Sequence, residues 1–154
     1  MHQPQKRRFR IGFTGSRKGL TADQQEAVRR QLSELIEEHR DDELEAHHGD
    51  AIGADAQFHA ACQPLEIPVV IHPSKDQKDR ACCQGAKVTH PPVEFAEQSA
   101  AIVNLCQILI AAPDGFKERW RGSGTWMTIR AARKAEKTIV LCYPDGIRET
   151  EVEE

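Results

Sequence analysis

Short apolar runs alternate along the chain with longer segments in which apolar residues recur at helical spacing. The runs are rich in Val and Ile and are bounded by turn residues, which predicts buried strands at 8–14, 44–49, 67–71, 107–112 and 138–142. The amphipathic segments predict helices at 21–40, from Asp55 to Pro64, at 93–105 and at 125–135. Alternating strands and helices are typical of a parallel sheet with helices on both faces. The pattern therefore predicts an α/β fold with a five-stranded, mainly parallel sheet.

One long polar stretch, residues 73–92, interrupts this alternation. It is irregular and contains Pro73, Gly85, Pro91 and Pro92. Long loops in compact domains are usually functional or mobile. We interpret this stretch as a lid or specificity loop, with a disordered segment as the alternative.

The composition predicts a single globular domain. The chain has 154 residues, of which 39% are hydrophobic and 29% charged, and this length suits one domain with its own core. No segment approaches the roughly 20 apolar residues of a membrane helix, and no signal-type apolar segment follows the basic N-terminal residues. We therefore expect a cytoplasmic protein in which residues 1–154 form one domain and residues 1–7 and 147–154 are flexible tails.

The cysteines and histidines predict neither a disulfide framework nor a metal centre. The five cysteines are an odd number without a secretory signal, and Cys82 and Cys83 are adjacent rather than spaced for zinc. His47 and His48 are neighbours on a predicted strand, so their side chains point to opposite faces. A hydrogen-bonded or surface role explains them best, with a place in a ligand crevice as the alternative for one of them.

Three glycine-bearing turns follow predicted strands. In an open parallel sheet, ligands bind at the carboxyl ends of the strands, where the strand order reverses. Glycine lets a ligand approach the backbone, and the free N–H groups at a helix start favour an anion. A plain loop with a helix cap would use the same residue types, so the prediction depends on all three turns. The predicted ligand-binding residues are Gly15, Ser16, Arg17, Gly49, Asp50, Gly53, Asp55, Pro113, Arg121, Gly122, Ser123, Gly124 and Thr125.

The ordered set of motifs resembles a known family. The matching segments are 12–17 (GFTGSR), 48–55 (HGDAIGAD), 110–113 (IAAP) and 122–126 (GSGTW), with Ile129, Arg130, Ala132 and Arg133 in the last helix. They span most of the chain and are similar to the SLOG superfamily, which contains the Smf/DprA proteins and the Lonely Guy phosphoribohydrolases, and particularly to its small stand-alone YspA-type members. The resemblance implies a Rossmann-like three-layer sandwich that binds nucleotides or nucleotide-derived ligands.

One position departs from the Lonely Guy pattern. Those enzymes carry a glutamate three residues after the Gly-Thr of their glycine motif, where this chain has Thr128. A hydroxyl cannot replace a carboxylate that stabilises the cationic sugar of N-glycosidic cleavage. We therefore predict a module that senses or sequesters a nucleotide-type ligand, without a resident cofactor. The alternative is a nucleoside 5'-monophosphate N-glycosidase that uses another carboxylate, with Asp55 and Glu94 as candidates.

Net charge limits the classes of partner. The value of -3 gives no general attraction to nucleic acid and argues against a DNA-associated function. We expect a small-molecule nucleotide ligand and no membrane partner. A homodimer or higher homo-oligomer suits a domain of this size, with Trp120 and the helix at 93–105 as candidate contacts.

Overall fold

A computed structural model describes residues 6–76 and 80–152, in which strands and helices alternate. The strands are β1 (Arg8–Gly15), β2 (Glu43–His48), β3 (Val69–Ile71), β4 (Val88–Thr89), β5 (Ile108–Ala112), β6 (Thr138–Cys142) and β7 (Arg148–Glu151). The helices are α1 (Ala22–Glu38), α2 (Ala54–Cys62), α3 (Phe95–Leu105) and α4 (Gly124–Lys134). None of the helices in these ranges is long and apolar enough to cross a membrane.

The strands form one sheet in the order β4-β3-β2-β1-β5-β6-β7. All neighbouring pairs are parallel except β6 and β7, which pair antiparallel at one edge. The predicted α/β class and mainly parallel sheet are confirmed, but the described residues form seven strands and not five. The two additional strands are β4, within the polar stretch 73–92, and β7, near the C-terminus.

Strand β7 corrects the expectation that residues 147–154 form a flexible tail. Arg148 pairs with Glu34 of α1 through Nη1 at 2.7 Å and Nη2 at 2.9 Å. Glu151 accepts two hydrogen bonds of 2.8 Å from Arg133 of α4. Because this edge strand pairs with β6 through its backbone and its side chains form ion pairs, hydrophobic periodicity could not reveal it. Residues 1–5 and 153–154 of the expected tails lie outside the described residues.

Helices cover both faces of the sheet. On one face, with α1 and α2, the ring of Phe13 stacks on Phe58 with centroids 4.3 Å apart. On the other face, with α3 and α4, Trp126 packs with Leu109 and Ile129 and is 3% exposed. The molecule is therefore a three-layer sandwich with a core on each side of the sheet.

The strand order reverses at β1. The chain passes from β1 through α1 to β2 on one side, whereas β5 pairs with β1 on the other side. Because these connections diverge, a crevice opens above the carboxyl ends of β1 and β5. The position of the crevice thus follows from the topology of the sheet.

The described part of the stretch 73–92 is attached to the turn after β2. Asp50 Oδ2 lies 3.1 Å from Arg80 Nη2, and Asp50 Oδ1 accepts the N–H of Cys83 at 3.0 Å. Residues 77–79 lie outside the described ranges. The role of this stretch as a lid or specificity loop stays a prediction.

Candidate ligand-binding crevice

The crevice has a volume of about 590 Å³, which is in the range of small-molecule sites. Its walls come from the turns after β1 and β2, the loop after β3, the first turns of α3, the loop after β5 and the start of α4. The structure brings together nine of the predicted ligand-binding residues in its lining: Gly15, Ser16, Arg17, Gly49, Asp55, Gly122, Ser123, Gly124 and Thr125.

The start of α4 exposes backbone N–H groups to this crevice. Ser123 caps the helix, because its Oγ accepts the N–H of Trp126 at 3.1 Å and its carbonyl accepts the N–H of Met127 at 3.1 Å. Within the described ranges, the N–H groups of Gly124 and Thr125 have no protein acceptor. These two donors lie at the positive end of the helix dipole, where an anion is favoured.

The other helices supply their own acids at this position. The first turns of α1, α2 and α3 carry Asp23, Asp55 and Glu97, whereas the first turn of α4, which is fully described, carries none. In α3 the N–H of Phe95 is also bonded to the Asp76 carboxylate at 3.1 Å. The start of α4 therefore differs from the others in carrying no acidic residue in its first turn.

The turn after β1 presents a cation at the crevice edge. The Ser16 carbonyl accepts the N–H groups of Gly19 and Ala54 at 3.0 Å each, and the Ser16 Oγ accepts that of Lys18 at 3.1 Å. These bonds fix the turn. Arg17 is exposed and has no carboxylate partner among the described residues, so its guanidinium is available to an anionic ligand.

Two further cations in the wall share one carboxylate, that of Asp114, as their ion-pair partner. Lys18 Nζ lies 3.3 Å from Asp114 Oδ2, and Arg119 Nη2 lies 3.0 Å from Asp114 Oδ1. The crevice is therefore not strongly basic, and its preference for an anion depends on the α4 amides and Arg17.

Two predicted residues of the second turn belong to the packing of the turns and not to the crevice. The Asp50 side chain is fully buried and turns toward Arg80 and Cys83, as described above. Gly53 has a φ of +83°, which favours glycine, and a Cβ there would overlap the carbonyl of Arg17. Both residues hold neighbouring segments in place and lie outside the crevice lining, and their assignment as ligand contacts stays a prediction.

Pro113 and Arg121 also lie outside the lining. The Pro113 carbonyl accepts a 2.7 Å hydrogen bond from Nε2 of Gln24. Gln24 forms the capping box at the start of α1 with Thr21, so Pro113 connects β5 to the start of α1. Arg121 is exposed on the loop before α4.

Asp55 satisfies the backbone of the turn after β2. Its Oδ2 accepts the N–H of Ala51 at 3.1 Å, and the carboxylate also accepts the N–H of Gly49. Burial raises the pKa of Asp55 to about 7, because these N–H groups only partly offset the loss of water. A carboxyl with that pKa exchanges a proton near neutral pH.

The α3 wall contains polar residues that sequence reasoning missed. Gln98 is 5% exposed and lines the crevice, and the Ser99 Oγ lies 2.9 Å from the Thr128 Oγ1. Thr128 also donates to the Gly124 carbonyl at 3.0 Å, so the residue at the family's glutamate position connects α3 to α4. Glu94, the second catalytic candidate, is exposed and lies outside the lining. In the sequence, the signal for Gln98 and Ser99 as crevice residues was that they are adjacent polar residues in a helix that is otherwise apolar on one face.

The two adjacent histidines lie in separate buried networks on opposite faces of β2. His48 Nδ1 accepts the N–H of Asp50 at 2.9 Å, and its Nε2 lies 2.9 Å from Nδ1 of His59. The Nε2 of His59 lies 2.7 Å from the Gln84 carbonyl, so both rings carry their proton on Nε2. Burial is the main cause of the low pKa of His48, which is about 3. The hydrogen-bonded role predicted for the pair is confirmed.

The ring nitrogens of His48 and His59 lie near Cys83 Sγ, with all three atoms within 4.8 Å of one another. A metal ion would need the lone pair of His48 Nε2. That nitrogen carries the proton donated to His59, because the N–H of Asp50 occupies the other ring nitrogen. The hydrogen bonds therefore explain this cluster without an ion.

His47 belongs to the second network. Its Nε2 lies 2.9 Å from Glu45 Oε1, and its Nδ1 lies 2.8 Å from Nε2 of His72. The Glu45 carboxylate also accepts a 2.9 Å bond from Lys87. These contacts lower the pKa of Glu45 to about 2 against the opposing effect of its burial.

Comparisons with known proteins identify the fold. No family model and no curated protein matches the chain. The molybdenum cofactor binding protein of the phototrophic bacterium Rippkaea orientalis is similar, with a TM-score of 0.65 and 16% identity over 89% of this chain and 77% of that chain. The molybdenum cofactor carrier protein of Chlamydomonas reinhardtii matches with a TM-score of 0.61 and 14% identity over 88% of this chain and 76% of that chain. The structure of TM1055 matches with a TM-score of 0.60 and 12% identity over 85% of this chain and 72% of that chain. Identities this low show the fold alone, and the predicted Rossmann-like fold is confirmed.

Proposed function

We propose that this protein binds a nucleotide or a nucleotide-derived ligand, and that the ligand's phosphate lies on the N–H groups of Gly124 and Thr125. The start of α4 supports this proposal most strongly, because it combines unpartnered donors, no acid of its own and an open crevice. Gly122 has a φ of +71° and no atom within 4 Å of its Cβ position, so a phosphate has room to approach. The exposed Arg17 adds a charge partner.

The similar structures are consistent with this proposal. Two of them are described as molybdenum cofactor proteins, so this fold accommodates a small-molecule ligand. We further infer membership in the SLOG superfamily from the order of motifs, and a cytoplasmic sensing or sequestering role. The five cysteines are free, in keeping with a reducing compartment.

Thermal unfolding with added ligands tests the proposal. Nucleoside mono- and diphosphates, dinucleotide cofactors and cyclic nucleotides are compared with the parent nucleosides, which lack phosphate. A ligand at a hundredfold of its Kd adds about 2.7 kcal/mol to the free energy of unfolding. We expect at least one phosphate-bearing class to raise the midpoint and its parent nucleoside to have little effect. If none of the classes raises it, the proposal is contradicted.

A second candidate is the nucleoside 5'-monophosphate N-glycosidase. It is favoured by Asp55, whose carboxyl lines the crevice and has a pKa raised to about 7, as a general acid for a departing base requires. Release of free base from nucleoside monophosphates, followed by chromatography, is the test. Base release that is lost in Asp55→Asn and kept in Glu94→Gln supports this function, and no release from any nucleotide excludes it.

A further inference from the structure

Gln98 is a buried residue whose side chain ends in an amide, and it lies in the α3 wall of the crevice. Its side chain is 5% exposed, lines the crevice, and has no hydrogen-bond partner within the described ranges. A buried amide without a partner costs roughly 1–3 kcal/mol, so most buried amides in proteins are bonded. An amide left in this state in a ligand-sized cavity is a candidate for ligand recognition.

Gln98 and Asp55 meet at Gly49. A Cβ on Gly49 would overlap Nε2 of Gln98 and would lie 3.3 Å from Oδ2 of Asp55. A side chain at position 49 would therefore displace the amide. The absence of one lets a donor and a carboxylate lie side by side on the same backbone.

The pair offers an acceptor next to a donor. A carboxylate has about four acceptor positions, and the N–H groups of Gly49 and Ala51 use two of those of Asp55. The remaining acceptor positions of Asp55 can accept an N–H of a ligand, and the Gln98 amide can donate to a carbonyl of the same ligand. A ring lactam, as in hypoxanthine, guanine or uracil, has the complementary arrangement of an N–H beside a C=O.

We propose that Asp55 and Gln98 bind the lactam edge of a nucleobase, so that the crevice selects 6-oxopurine or 4-oxopyrimidine nucleotides over their amino counterparts. This inference rests on the proposed function, because it assumes that the phosphate lies on the start of α4. The inference adds to that function the class of nucleobase that the crevice selects.

Inosine and adenosine monophosphates form the sharpest test, because they share ribose and phosphate and differ at the base edge. Isothermal titration at about pH 8 keeps Asp55 ionised. The neighbouring groups do not change their protonation at this pH. The Cys83 N–H and Arg80 lower the pKa of Asp50, which stays ionised. Burial raises the pKa of Cys83 to about 12, so its thiol stays protonated. We expect inosine monophosphate to bind at least about tenfold more tightly, as a good pair of base contacts provides. Uridine against cytidine monophosphate then distinguishes a purine from a pyrimidine ligand.

Two variants separate recognition from a structural role. Gln98→Leu should reduce the preference below about threefold and leave the unfolding midpoint equal or higher, because it removes an unpaired buried amide. Asp55→Asn keeps an oxygen that can accept the N–H of Ala51 but replaces the other acceptor by a donor. This variant should reverse the preference toward adenosine monophosphate, which a purely structural residue would not do.

The outcomes are distinct. Equal binding of the two purine nucleotides by the wild-type protein, or an equal loss of both in Gln98→Leu, overturns the inference while the proposed function stands. If no nucleotide binds at all, the proposed function fails and this inference fails with it.

Discussion

Two glycine turns lie at the same edge of the sheet, and each leads into a helix. They differ in whether the protein supplies an acceptor for their backbone N–H groups. In the turn before α2, the Asp55 carboxylate accepts the N–H groups of Gly49 and Ala51. At the start of α4, only a serine cap is present, and two N–H groups face the crevice without an acceptor in the described structure. We call these the filled turn (residues 49–55) and the open turn (residues 122–125).

The difference shows that glycine content alone does not make an anion site. Both turns are rich in glycine and precede a helix, but a carboxylate in the first helical turn does for the backbone what a bound phosphate would do. The position of acids relative to the turn therefore separates a structural turn from a candidate binding turn.

The largest effect should come from converting the open turn into a filled one. Aspartate caps a helix as well as serine does, so Ser123→Asp should leave the free energy of unfolding nearly unchanged. Its carboxylate should repel a phosphate and weaken nucleotide binding by roughly 100-fold, which is about 2.7 kcal/mol. Isothermal titration measures this change.

Ser123→Asn is the matched control, because it keeps the cap without the charge. We expect its affinity to stay within about threefold of the wild type. Equal losses in the two variants would mean that the cap geometry and not the charge controls binding.

Acid should disrupt the network beside the filled turn. Burial lowers the pKa of His48 to about 3 and that of His72 to about 4, from an unfolded value of 6.5. The unfolded chain therefore binds more protons below pH 6.5, and stability is lost as the pH falls from 6.5 toward 4. We expect the free energy of unfolding to fall by roughly 2 kcal/mol between pH 7 and pH 5 in urea titrations.

Asp55 acts in the opposite direction in the same range. Its folded pKa of about 7 lies above the ordinary value of 3.8, so its contribution to stability declines as the pH rises from about 4 through 7. Asp55→Asn should therefore make the acid-induced loss steeper. A stability that does not change between pH 7 and pH 5 in either protein would contradict the buried neutral histidines.

Emptying the filled turn should cost a smaller amount. Asp55→Ala leaves the N–H groups of Gly49 and Ala51 without their acceptor, and we expect a loss of about 1–2 kcal/mol in urea unfolding. Asp55→Asn retains an acceptor oxygen and should lose less than half as much. If the alanine variant is as stable as the asparagine variant, the turn does not depend on its acid.

The smallest effect concerns the arginines. Arg17→Ala should weaken nucleotide binding by about fivefold at low salt and by less at high salt, because the exposed charge is screened. Arg121 lies outside the lining, so Arg121→Ala should leave the affinity unchanged. An equal effect of the two substitutions would indicate a general attraction by positive charge.

The strands and helices with apolar faces could be predicted from the sequence, because burial leaves a period of two or 3.6 residues. The capping box of α1 was also visible, since Thr21 and Gln24 are close in sequence. Strand β7 was not visible, because it pairs with β6 through its backbone and its side chains form ion pairs with Glu34 and Arg133 instead of a hydrophobic period.

The candidate site was predictable only in part, for the same reason. Glycines beside Ser16 and Ser123 marked two of the crevice walls, since local sequence determines a turn. Whether Asp50 or Asp55 faces the crevice depends on the direction of each side chain after folding. Gln98 lies 49 positions from Gly49 in the chain, so their juxtaposition at the crevice depends on the docking of α3.

The most direct test of the open turn is the response of its own amides to a ligand. In ¹⁵N-labelled protein, titration with a nucleoside monophosphate should shift the amide signals of Gly124 and Thr125 saturably, with the same Kd as calorimetry. The amides of Gly49 and Ala51, which Asp55 already holds, should shift less. Unchanged signals for Gly124 and Thr125 at a saturating nucleotide concentration would contradict the account.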